Sequence, residues 1–261
     1  MAEIKFIVYK NRNLKNKAEE IAVKTSCLPV FFEDFLKIED KGEFYFFAGE
    51  NNFEIRFSNI SSNGITVDFA SSKMNHRIKT STVKNPLAKA CGLKGKMDKK
   101  PFIIDATAGL GTDSFLLYFL GAKVFGFERN LFLFYLLENG LKKYFKANKN
   151  DNNLLFINSD SFNFYNKLLQ NNIIEKPDVI YLDPMYPLEN KKKAKPKKEL
   201  EVLRKIIGKD IDSSILFKEI LNYKNLRIVV KRPIHSPLIS DLIKPSHKIE
   251  SKLVRYDVYF T

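Results

Sequence analysis

Three carboxylates stand where a carboxylate can do chemistry. In the stretch Pro101–Asn130, PFIIDATAGLGTDSFLLYFLGAKVFGFERN, a short apolar run, Phe102–Ile104, ends at Asp105. A turn containing Gly109 and Gly111 follows, and then a helical segment from about Asp113 to Leu120. A second apolar run, Val124–Phe127, stops at Glu128. The pattern predicts a βαβ unit with a glycine turn at its first strand-to-helix junction and an acid at the tip of its second strand. Glycine lacks a Cβ and tolerates positive φ, so such a turn lets a ligand approach the backbone closely. An acid at the second strand tip can accept hydrogen bonds from two ribose hydroxyls. The third carboxylate, Asp183, follows the apolar run Val179–Leu182 and opens Asp183-Pro184-Met185-Tyr186-Pro187.

The first stretch reads as a site for an adenosine-containing cofactor. Ser114 stands where G-x-G-x-x-G would have its third glycine. Asp113 opens the helix where a pyrophosphate would otherwise sit against the positive dipole end. A carboxylate there repels phosphate and suits a cation, which favours S-adenosylmethionine over NAD or FAD. Helix capping is the competing account of Asp113, and a solvated strand end that of Glu128. Ser159 and Asp160 follow a third apolar run, Leu154–Ile157, and suit an adenine exocyclic amine or, alternatively, a helix cap over Phe162–Leu169.

At the Asp-Pro corner, the Asp183 carboxylate and a backbone carbonyl around Pro184 can accept both hydrogens of an exocyclic amine. Tyr186 offers a stacking face for an extruded or single-stranded base. Holding both hydrogens favours a more tetrahedral nitrogen and aims its lone pair at a methyl group. A plain Asp-Pro turn is the competing account. Basic residues flank both regions. Lys191, Lys192 and Lys193 begin a lysine-dense loop beside the corner, and His76, Arg77 and Lys79 precede the cofactor strand. Lys231 and Arg232 end a fifth apolar run, Leu226–Val230. These eight residues are expected to contact the substrate, against the alternative of solvated charge.

The whole chain sets the outer bounds. Its 261 residues, 44% apolar, suit one large domain with a small appendage. The net charge of +14 points to a polyanion, nucleic acid first. No apolar run approaches the roughly 20 residues of a membrane helix, and the start MAEIKFIVYKNRN lacks an apolar signal core. A cytoplasmic protein is expected, with no membrane and no metal. Cys27 and Cys91 lie far apart, and His76, His235 and His247 do not pair at ligand spacing.

Residues 1–70 are expected to form a small antiparallel α+β domain, with strands at Glu3–Tyr9, Phe44–Ala48, Phe53–Phe57 and Ile65–Phe69 and a helix at Asn16–Lys24. Residues 71–261 carry the remainder. A basic linker is expected at Ser71–Thr80, and helices at Asn85–Gly92, Asn130–Lys146, Glu199–Ile207 and Ser213–Leu221. Another short helix is expected between Pro237 and Pro245, and a closing hairpin of Lys248–Leu253 with Tyr256–Phe260.

In order, Val67-Asp68-Phe69, Met74-Asn75-His76-Arg77, Ala88–Gly95, DATAGLG, FERN, YLDPMYP, VVKRP and RYDVYF make the chain resemble the ribosomal small-subunit RNA methyltransferase J family. The resemblance runs from Val67 to the C-terminus. It implies a class I methyltransferase fold, Rossmann-like, with a seven-stranded, mostly parallel sheet whose last strand is antiparallel. It implies transfer of a methyl group from S-adenosyl-L-methionine to guanine N2 in small-subunit (16S) ribosomal RNA, free or in the subunit. It also implies cofactor contacts at Thr112, Asp113, Glu128, Arg129, Ser159, Asp160 and Asp183, and the glycine-turn reading adds Asp105, Gly109 and Gly111. Rival readings are an amino-methyltransferase of another RNA or of DNA, acting on adenine N6 or guanine N2, a nicotinamide-dependent protein, and a basic RNA-binding scaffold. The oligomeric state is left open.

Overall fold

Short apolar runs bounded by glycine, asparagine and proline turns make up the strands, and Ser71 and Asn85 cap the helices that follow them. The computed structural model describes residues 3–58, 64–95, 99–148, 151–159, 175–184, 204–206 and 213–261. In chain order the elements are β1 (Ile4–Tyr9), α1 (Lys15–Thr25), β2 (Leu28–Phe31), α2 (Phe32–Phe35), β3 (Phe44–Ala48), β4 (Phe53–Phe57), α3 (Ser72–Thr80), α4 (Pro86–Ala90), β5 (Phe102–Asp105), α5 (Thr112–Phe119), β6 (Lys123–Phe127), α6 (Leu131–Asn148), β7 (Leu154–Ile157), β8 (Val179–Leu182), α7 (Ser213–Ile220), β9 (Arg227–Pro233), β10 (His247–Glu250) and β11 (Val254–Phe260). They gather into two compact units.

The first unit draws on residues 3–68, 130–147 and 204–206, so α6 belongs to it although it follows residue 70 in sequence. Its four-stranded sheet runs β2-β1-β3-β4. The expected antiparallel sheet is instead mixed: β1 lies parallel to both β2 and β3, and only β3 and β4 are antiparallel. The crossover from β1 to β2 is made by α1, which a hairpin could not replace. The expected strand over 65–69 reduces to one bridge, Ile65 with Ile55. Phe6, Val8, Phe35, Tyr45 and Phe47 fill one face of this sheet, with the Phe35 and Tyr45 ring centroids 4.6 Å apart. On α6, Phe132 meets Phe46 at 5.7 Å between centroids, and Asn139 Oδ1 accepts the Phe53 N–H at 3.1 Å.

The second unit holds a seven-stranded sheet in the order β10-β11-β9-β8-β5-β6-β7. From β9 to β7 all neighbours are parallel; β11 runs antiparallel to β9, and β10 antiparallel to β11. This is the class I methyltransferase arrangement. β5 and β8 are adjacent but far apart in sequence, and the strands that follow each lead outward in opposite directions. Open α/β sheets bind their ligands at such a reversal, beyond the carboxyl ends of the strands. All four residues of β5 and of β8 are buried, as expected for central parallel strands. Phe115 of α5 stacks on Phe69 at 4.4 Å, and Phe69 lies 6.1 Å from Phe156 of β7.

Several local expectations change. The basic stretch 72–80 is a helix, not a linker: Ser71 Oγ accepts the Met74 N–H at 3.3 Å, and Met74 and Ile78, one turn apart, turn inward. Two apolar residues in nine gave too weak a period to reveal it. No helix lies between Pro237 and Pro245, where two buried arginines hold a loop instead. β9 runs on through Lys231-Arg232-Pro233. The expected helix 162–169 lies outside the described residues, as does most of 199–207, of which 204–206 is helical.

Candidate active site

The site is built on the turn from β5 to α5. Asp105 ends β5 and accepts the Thr107 N–H at 3.0 Å and the Ser114 hydroxyl. Gly109 and Gly111 take φ of 56° and 71°, values that disfavour any residue with a Cβ. A Cβ on Gly109 would find nothing nearer than the Thr107 carbonyl at 3.9 Å, so the outer side of this turn is open. Glu128, at the end of β6, accepts the Gly109 N–H on Oε2 at 2.9 Å. Asn158 Nδ2 donates to the Glu128 carbonyl at 2.9 Å, tying the end of β7 to the end of β6.

Asp105 is 1% exposed and braces the turn through its bonds from Thr107 and Ser114. Burial, with the charges of Asp113 and Asp183 adding, pushes its carboxyl up to about 7, against the bonds from Ser114 and Thr107. A raised folded-state pKa stabilises the fold below the ordinary value of 3.8 and loses that contribution as pH rises through about 7. Asp105→Asn is therefore expected to remove a fall in melting temperature between those limits. Parallel melting curves of the two proteins from pH 4 to pH 8 check this, and superimposable pH dependences would contradict it.

Asp113, in the first turn of α5, is 7% exposed. Its Oδ1 accepts Arg77 Nη2 from α3. Its Oδ2 accepts Lys231 Nζ from β9 at 2.9 Å and the Tyr181 hydroxyl from β8 at 2.7 Å. Burial alone would raise this carboxyl, but Lys231 and Arg77 outweigh it and hold it below the usual carboxylate range. The protein thus supplies cations of the kind the carboxylate was expected to find in a ligand. Arg77, paired with Asp113, keeps 37% of its side chain exposed. His76 and Lys79 are exposed on α3, and Thr112 and Arg129 are exposed beside the glycine turn and Glu128.

Asp183 lies just beyond β8. Its N–H donates to the Thr107 hydroxyl at 2.6 Å, which spans the strand reversal between β5 and β8. Lys231 Nζ contacts its Oδ2 at 2.6 Å. Among the described residues, Oδ1 accepts no hydrogen bond. The side chain keeps 38% of its surface exposed although dense protein surrounds it, so water reaches it from one side only. Burial, together with the Asp113 charge, raises its carboxyl against the pull of Lys231. Pro184 beside it is buried. Arg232 is 4% exposed and donates from Nε to the Pro237 carbonyl at 2.9 Å. Neighbouring strand residues point to opposite faces, so Arg232 cannot share Lys231's site, and its expected substrate contact is withdrawn. Asp160, Tyr186, Lys191, Lys192 and Lys193 lie outside the described residues.

The comparisons with known proteins bear on this geometry. The profile of the family described as "Putative SAM-dependent methyltransferase" matches residues 32–261. Ribosomal RNA small subunit methyltransferase J of Buchnera aphidicola (subsp. Schizaphis graminum) is 42% identical over 200 residues, covering 75% of this chain and 77% of that protein. The chain belongs to the ribosomal RNA small subunit methyltransferase J family. The member from Idiomarina loihiensis is 36% identical over 201 residues, 75% of this chain and 73% of that one. A solved SAM-dependent methyltransferase from Neisseria gonorrhoeae, NGO1261, shares the fold, with a TM-score of 0.71 at 23% identity over 98% of this chain and 96% of that one.

As a member of this family the chain uses S-adenosylmethionine. Its residues fit that group: an open glycine turn, an acid at the next strand tip, and Ser159 at the strand end beyond. Among the described residues no group of three or more His, Cys, Asp or Glu could hold a metal ion, and no helix is long and apolar enough to cross a membrane. Thr107, Tyr181 and Asn158 were not singled out by sequence reasoning. Thr107 and Tyr181 lie inside DATAGLG and YLDPMYP, where those motifs were the signal that could have found them.

Proposed function

We propose that this chain transfers a methyl group from S-adenosylmethionine to the exocyclic N2 of a guanosine in 16S ribosomal RNA. The carrying observation is Asp183 at the strand reversal, a part-exposed carboxylate with one oxygen tied to Lys231 and the other accepting no hydrogen bond among the described residues. When bound, the cofactor supplies a methyl group on a sulfonium sulfur. The glycine turn and Glu128 hold the adenosine ribose, and Thr112, Arg129, Ser159 and Asp160 complete that side. Asp183 and the carbonyl region of Pro184 accept the two amine hydrogens and aim the nitrogen lone pair. Tyr186 stacks on the base.

In the transfer a nitrogen–carbon bond forms and the carbon–sulfur bond breaks. The nitrogen then sheds one proton to water, and the Asp183 carboxylate stabilises its transient positive charge. His76, Lys79 and the Lys191–Lys193 segment hold RNA phosphates, consistent with the net charge of +14. An RNA substrate of this kind places the enzyme in the cytoplasm. The test compares nucleoside modifications in ribosomal RNA from cells with and without the gene, by mass spectrometry. We expect one N2-methylguanosine to disappear from the small-subunit RNA. Loss of an N6-methyladenosine instead, or no change, would overturn the assignment.

A further inference from the structure

We propose that Lys231 is a positioning residue for the transfer: it anchors Oδ2 of Asp183 and so reserves Oδ1 for the substrate amine. The inference deepens the reading of Asp183 given above and rests on it. Lys231 projects from β9, three-quarters or more of its side chain buried, with its ammonium shared between two carboxylates. One, Asp113, is nearly sealed and already held by Arg77 and Tyr181. The other, Asp183, has this one cation in contact among the described residues. A carboxylate held at one oxygen cannot swing its plane freely, so the remaining oxygen keeps a fixed direction. A hydrogen-bond acceptor fixed in advance costs nothing to reorganise at the moment of reaction.

Charge points the same way. The groups facing Asp183 are Lys231 from β9, Asp113 from α5, Arg77 from α3, Asp105 from β5, Tyr181 from β8 and Tyr256 from β11. Two cations, Lys231 and Arg77, balance the two carboxylates Asp113 and Asp183. Without Lys231 the pair carries an excess negative charge, and Asp113 keeps Arg77 and Tyr181, so Asp183 takes up a proton. A protonated Asp183 offers the amine a donor where it needs an acceptor.

The test replaces Lys231 with Met, with Gln, and with Arg, alongside Asp183→Ala. Single-turnover transfer is followed against pH, and the Asp183 carboxyl is titrated by 13C NMR. In Lys231→Met and Lys231→Gln we expect the acidic limb of the rate profile and the Asp183 midpoint to rise together by about one pH unit or more, a tenfold change in protonation. Lys231→Arg, which keeps the charge, should return both toward the wild-type values. Binding of S-adenosylhomocysteine, followed by calorimetry, should change little in all three. If neither limb nor midpoint moves in Met or Gln while Asp183→Ala is inactive, the positioning role fails alone. Should Asp183→Ala itself transfer at the wild-type rate, the functional reading beneath it fails. The Gln variant, still a donor, covers the case in which Met does not fold.

Discussion

Asp183→Ala is expected to lower methyl transfer by about 10²- to 10³-fold, the usual loss on deleting one fixed polar group aimed at developing charge. The lost oxygen is Oδ1, which accepts no hydrogen bond among the described residues, while Oδ2 meets Lys231. The corner itself survives, because the bond to the Thr107 hydroxyl uses only the backbone N–H of residue 183. Lys231 keeps Asp113 as a partner, so no charge is stranded. The melting temperature should change little. Affinity for S-adenosylhomocysteine should stay within a few-fold, since the glycine turn and its bond to Glu128 are untouched. Single-turnover transfer, calorimetry and thermal melting measure the three separately. Wild-type transfer by this variant would falsify the role given to Asp183, and a collapsed melting temperature would make it a structural residue.

That division between what acts and what braces was only partly legible in the sequence. The β5–α5–β6 unit could be read because each part is local: short apolar runs, two glycines in the turn, and acids at run ends. The apolar runs at 154–157 and 179–182 match their strands residue for residue. Asp113 shows the limit. Its type and place were plain, but its partners lie 36, 68 and 118 residues away, and no spacing rule reaches that far. A buried carboxylate with three donors and a helix-opening carboxylate awaiting a cation look the same in one dimension. The first sheet failed for a related reason. Alternation marks strands, yet it does not say whether α1 returns the chain parallel to β1. Lys231 and Arg232 were taken together as substrate contacts because both are basic and adjacent. A strand sends them to opposite faces, one to the carboxylates and one into the loop after β9.

That loop carries the other large expected effect. Arg255 is 5% exposed and Asp257 is fully buried. Arg255 Nε and Nη2 meet the two oxygens of Asp257 at 2.9 and 3.1 Å. Its Nη1 also donates to the carbonyls of Ile234 at 2.8 Å and Ser236 at 2.7 Å. With Arg232 on Pro237, one guanidinium pair satisfies most of the turn that leaves β9. Arg255→Met would strand a buried carboxylate and release those carbonyls, at a cost of about 3–5 kcal/mol. In a domain of this size that is a fall in melting temperature of about 10 °C. Asp257→Asn should cost less, because the guanidinium keeps its carbonyl partners. In Arg255→Met combined with Asp257→Asn, loss of the stranded charge should recover part of the deficit, while the unsatisfied carbonyls should keep the double variant below wild type. Denaturant unfolding of all three gives the coupling directly. Simple additivity of the two losses, or an Arg255→Met protein that melts with the wild type, would mean that the buried pair does not hold the loop.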